Sequence, residues 1–216
     1  MDWLAGKRRV KTGNSRIAGL MLQENGTLMD IPVSLSERFP FLDALEEQWD
    51  PVSRPLFFVW MAFYLLLIGN GLLGGHLFQW FDLVFIPIHE GGHLLFRLFG
   101  EWIMVAGGTF LQLFVPFALA VYFAFRRQSQ GTAFCAFFFF EQFLPIGIYM
   151  ADARAQELPL LTVGDSEYVI HDWYYLFSHS GMLEHDTQIG GTLRILGWAG
   201  MIATVAWFAW RSLQRN

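Results

Sequence analysis

The sequence predicts an all-α, polytopic membrane protein of about five transmembrane helices. Hydrophobic residues make up 54% of the 216-residue chain and charged residues only 15%, against roughly 25% in soluble domains. A soluble fold of this length has too much surface to cover with so few charges. The apolar residues also gather into runs long enough to cross a bilayer. Those runs are continuous rather than alternating. In lipid every backbone polar group must be satisfied internally, so they predict helices and not a barrel. The net charge of −5, with no basic stripe, argues against a nucleic-acid partner. The single cysteine, Cys135, excludes an internal disulfide, and its apolar neighbours suggest a buried thiol.

Residues 1–54 form a polar segment, opened by Lys7, Arg8, Arg9, Lys11 and Arg16 and broken by Pro32, Pro40 and Pro51. They are expected on the cytoplasmic side. Residues 55–216 form the transmembrane domain. The first span, 55–78, carries no formal charge. About 20 residues at a rise of ~1.5 Å cross a ~30 Å hydrocarbon core. The second, 79–99, is apolar but interrupted by Asp82, His89, Glu90, His93 and Arg97. A third run, 102–125, and a fourth, 132–151, flank a polar turn. The core is expected over 79–155, followed by a polar loop at 156–190. A last helix, 191–212, has Gly197, Ala199 and Gly200 for close packing. With five crossings and a cytoplasmic N-terminus, the loop lies inside as well. Of the fourteen basic residues only Arg126, Arg127, Arg211 and Arg215 then fall outside, in the direction of the positive-inside rule.

The informative segment is His89-Glu90-Gly91-Gly92-His93, an H-E-x-x-H pattern. Four residues apart on a helix, the imidazoles sit one turn apart on one face. They can hold one Zn²⁺, while Glu90 lies near the same face, placed to serve as general base. Ionisable groups inside a span cost about 2.5–3.5 kcal/mol each or more, and a divalent cation compensates for several at once.

A catalytic zinc site needs a third protein ligand. Asp152, at the end of the fourth run, is the favoured candidate, with His171 and Asp172 as rivals. Glu141 stands three helical turns before Asp152, about 16 Å away, so both cannot serve one metal. It is expected to pair with Gln112, a carbonyl or water. The glycine pairs Gly91-Gly92 and Gly107-Gly108 offer close approach to a helix or an extended substrate. If Gly108 admits substrate, Gly108→Val lowers cleavage and spares the metal.

Across residues 80–155 the chain resembles the site-2 protease family of intramembrane zinc metalloproteases. Ile88-His89-Glu90-Gly91-Gly92-His93 looks like that family's H-E-x-G-H helix. Residues 106–113 are similar to its Gly-Pro-x-x-Asn segment, with Thr109 for Pro and Gln112 for Asn. Glu141-Gln142-Phe143-Leu144-Pro145 and the later Met150-Ala151-Asp152-Ala153 look like its Asn-x-x-Pro and Leu-Asp-Gly pair, with two extra residues between them and Ala153 for glycine. The resemblance implies zinc held by His89, His93 and Asp152, with Glu90 as general base. It also implies hydrolysis of peptide bonds of membrane-protein substrates in or beside the bilayer. The alternatives are a membrane protein that binds or moves metal without proteolysis, and a degenerate protease acting as a scaffold.

Overall fold

The computed structural model describes residues 19–22, 28–31, 48–158 and 171–213. The chain divides into two units, Met1–Glu47 and Gln48–Asn216. In the first, β1 (Gly19–Leu22) and β2 (Leu28–Ile31) pair antiparallel, with Gly19 opposite Ile31 and Leu22 opposite Leu28. The basic cluster at 7–16 lies outside the described residues.

The second unit is helical among its described residues. Its helices are α1 (Arg54–Leu72), α2 (Leu77–Phe96), α3 (Glu101–Phe125), α4 (Ser129–Glu141), α5 (Phe143–Ala151), α6 (Asp172–Ser180) and α7 (Asp186–Leu213). Four stretches are long and apolar enough to cross a membrane: α1, α3, α4 with α5, and α7 with the short 3-10 turn before it. The motif helix α2 is not among them. Asp82, His89, Glu90 and His93 dilute the apolarity of its 20 residues.

The exterior is greasy and the interior partly polar, as lipid solvation demands. Phe58, Leu66, Val84 and Ile195 are more than half exposed, whereas Glu141, Gln142 and Asp186 are buried. The core between α1, α4 and α7 is aromatic. Tyr64 lies against Phe137, with ring centroids 4.9 Å apart, and Phe57 stacks on Phe208.

Residues 48–54 meet the ends of α3 and α7. The Asp50 amide donates to the Arg127 carbonyl (2.8 Å), and Arg127 and Arg211 lie over the Trp49 ring. Phe78, at the start of α2, contacts Phe137 and Trp198, so α2 begins partway along α4 and α7. Among the described residues four apolar stretches, not five, are then available to cross a membrane, with α2 outside the count. This corrects the topology expected from five alternating runs: 48–54 shares an end with Arg126, Arg127 and Arg211, opposite the 97–101 and 152–158 connections.

Two further boundaries differ from expectation. The fourth run is broken at Gln142, because Pro145 has no N–H to offer the Glu141 carbonyl one turn back. The region expected as loop contains α6, and the last helix starts at Asp186 rather than 191. The nine-residue α6 is too short and too polar to stand out as a run. His171 caps it, its Nδ1 accepting from the Tyr174 amide (3.2 Å), and Gly181 closes it in the left-handed conformation.

Candidate metal centre

Helices α2 and α3 cross at glycines. A Cβ on Gly92 would collide with the Gly107 carbonyl, and one on Gly107 would meet Phe96. This close approach brings α3 acceptors to the His89 and His93 rings. His89 Nδ1–H donates to Gln112 Oε1 and His93 Nδ1–H to the Met104 carbonyl, both at 2.9 Å. Each ring thus spends its Nδ1 proton on an oxygen acceptor, the usual outer partner of a metal-binding imidazole.

The Nε2 atoms are left with lone pairs, and they face each other at 3.0 Å. The third group at this point is Asp172. Its Oδ2 lies 3.0 Å from His89 Nε2 and 3.3 Å from His93 Nε2. Three electron-pair donors converging so closely repel one another unless a proton or cation lies among them. Tetrahedral zinc with ~2.0–2.1 Å bonds separates its ligand atoms by about 3.3 Å. The donor set therefore fits a small divalent ion, and the three side chains could hold one.

Asp172 is held for this position. As the first residue of α6 it sits at the positive end of a helix. Its backbone N–H donates to the Tyr149 hydroxyl (3.1 Å). Burial opposes its ionisation, but the adjoining His89 and His93 imidazoles, which favour the carboxylate whenever a proton lies between them and Oδ2, outweigh burial and hold the carboxyl below its usual range.

The favoured sequence candidate, Asp152, is not brought to the imidazoles. It ends α5, where its two oxygens accept from the Glu157 and Leu158 amides (3.0 and 3.1 Å) and Oδ2 stands 3.4 Å from His171 Nε2. Asp152 thus anchors the chain after α5 and faces the cap of the helix that presents Asp172. The rival His171 caps α6 instead of joining the cluster. It is buried, and burial pushes its imidazole below the ordinary value despite the opposing pull of Asp152.

Glu90 is half-buried on the motif helix and bears electrostatically on both His93 and Tyr149. A Cβ on neighbouring Gly91 would touch only Leu111, at 3.9 Å, so the helix is open there. Gly108 is different. A Cβ there would stand 2.5 Å from His93 Nε2 and 2.8 Å from His89 Cε1. Its missing side chain makes room for the imidazoles, which overturns the expectation that Gly108→Val spares the metal.

Sequence reasoning passed over Tyr149, Gln142 and Met104. Tyr149 lies three residues before Asp152, and only the fold reveals its bond to Asp172. Met104 contributes a backbone carbonyl, for which no side-chain signal exists. No family model matches the chain, and no curated protein or solved structure matches it either.

Proposed function

We propose that this protein is an intramembrane zinc metalloprotease of the site-2 protease type, hydrolysing peptide bonds of membrane-protein substrates within or beside the bilayer. The observation that carries the reading is the convergence of His89 Nε2, His93 Nε2 and Asp172 Oδ2 within 3.3 Å, the two histidines on a helix that also bears Glu90. Zinc bound there would act as a Lewis acid towards a scissile carbonyl and lower the pKa of water. His89, His93 and Asp172 would hold the ion. Glu90 would take the proton from the attacking water and return it to the leaving amine.

The gap at Gly91 supports access beside Glu90 for an extended segment. A substrate helix must unwind before its carbonyls can be attacked, since they are otherwise hydrogen-bonded. In this reading α1, α3, α4 with α5, and α7 are embedded in lipid, and the N-terminus is cytoplasmic. Arg54, Arg126, Arg127 and Arg211 gather near helix ends at the end shared with residues 48–54, against Arg97, Arg154 and, within α7, Arg194 towards the other. The His93 end of the metal centre then faces away from the cytoplasm.

The test is cleavage of a fluorescently labelled single-span peptide by zinc-loaded protein in proteoliposomes. Glu90→Gln is expected to keep zinc and lose cleavage, and His93→Ala to lose both. A Glu90→Gln protein that cleaves normally would refute the hydrolase.

A further inference from the structure

A chain of side-chain amides leads away from His89 into the bundle. Gln112 accepts from His89 through Oε1, and its Nε2 donates to Gln142 Oε1 (2.6 Å). Gln142 Nε2 then donates to two carboxyl groups, Asp82 Oδ1 at 3.3 Å and Glu141 Oε2 at 2.7 Å. Gln142 and Glu141 are fully buried, and Asp82 is half-buried on α2, seven residues before His89. Helix, break and crossing all contribute. The interruption at Gln142 turns its amide towards α2, and the α2–α3 crossing carries Gln112 to His89.

An amide can be read in either direction, because its oxygen and nitrogen occupy similar space. A carboxylate cannot, since it only accepts. Two carboxyl groups against one nitrogen therefore force the Gln142 N–H groups towards Asp82 and Glu141. Two acids so close in an apolar bundle will not both ionise. With one proton shared between them, each still has an oxygen for Gln142. Once Gln142 is fixed, its oxygen faces Gln112, the Gln112 oxygen faces His89, and His89 must carry its proton on Nδ1. Reversing the chain would set an N–H against Nδ1 and drive the ring proton to Nε2, between His93 and Asp172. That tautomer cannot ligate.

We propose that Asp82 and Glu141, acting through Gln142 and Gln112, are positioning residues that fix the His89 tautomer required for metal binding. The consequence for zinc rests on the metal centre proposed above, whereas the consequence for the tautomer does not. A network that merely filled space would tolerate either direction of the amides. The acid pair supplies the asymmetry.

The experiment compares wild type with the isosteric Asp82→Asn/Glu141→Gln double variant as purified full-length protein in detergent. The first readout is the ¹⁵N-histidine spectrum of metal-free protein, with the His89 signals assigned by their loss in His89→Ala. Wild type should show His89 protonated on Nδ1, and the double variant a substantial Nε2-protonated fraction. The second is zinc affinity against a chromophoric chelator, expected to fall about 10–100-fold, the usual effect of disturbing an outer partner. An unchanged His89 tautomer in a folded double variant overturns the proposal, whatever zinc does. If the tautomer shifts but wild type binds no zinc, the relay stands and the metal centre falls. Should the double variant not fold, Gln142→Met, which cuts Gln112 off from both acids, should shift the tautomer in the same sense, and no shift there equally overturns the proposal.

Discussion

Replacing Asp172 and Asp152 by alanine in turn separates the two carboxylates that compete for the role of third ligand. Only Asp172 reaches both imidazole Nε2 atoms, at 3.0 and 3.3 Å. Asp152 is spent on two backbone amides and faces His171 at 3.4 Å. Zinc held by four ligands in small protein sites gains about 10–16 kcal/mol, hence about 3 kcal/mol per ligand. At 1.4 kcal/mol per decade, Asp172→Ala should weaken zinc binding by about two orders of magnitude. Asp152→Ala removes no ligand atom and acts only through the chain that presents α6. Its effect should stay within about tenfold, below the outer-partner range. The assay is chelator competition on purified protein, with metal content after dialysis as a second measure. Equal losses in the two variants, or unchanged affinity in Asp172→Ala, would refute this assignment of the ligand set.

Other consequences follow from the same geometry. Gly108→Ala places a methyl against both imidazoles, so zinc content should fall well below wild type while the helical circular dichroism persists. Gly190→Val should destabilise the bundle by about 1–3 kcal/mol through overpacking, since a Cβ there already meets Ala151 of α5; reversible unfolding in mixed micelles measures it. Arg154 clamps Asp186 through two side-chain bonds of 2.9 and 2.7 Å. Arg154→Ala should therefore lower the melting temperature more than Arg154→Ala/Asp186→Asn, which leaves no buried charge behind. Stripping bound zinc should also lower the melting temperature, because an ion held at 100 times its Kd stabilises by about 2.7 kcal/mol. Scanning with and without chelator checks this, and His93→Ala should show no such difference.

The motif was legible because its logic is local. A helix sets residues i and i+4 on one face whatever surrounds it, so the sequence alone pairs His89 with His93 and places Glu90 beside them. The apolar runs were legible for a similar reason, as hydrocarbon imposes a minimum length and tolerates few charges. Which carboxylate joins the two imidazoles was not. Asp152 and Asp172 both follow the fourth run, and a carboxylate carries no sign of which imidazole it will meet. That was settled by α6, a nine-residue helix whose cap and Tyr149 bond turn Asp172 inward while Asp152 is consumed by backbone amides. The same holds for the course of the chain across the bundle. The run of apolar residues through α1 and α2 reads as two crossings, yet α2 is not apolar enough to be one, and the packing of Phe78 on Phe137 and Trp198 starts it partway along its neighbours. Composition and helical periodicity act over a few residues and can be read in one dimension. Which polar groups meet across 20 or 80 positions is decided only when glycine crossings, a proline break and a helix cap fix the helices in space.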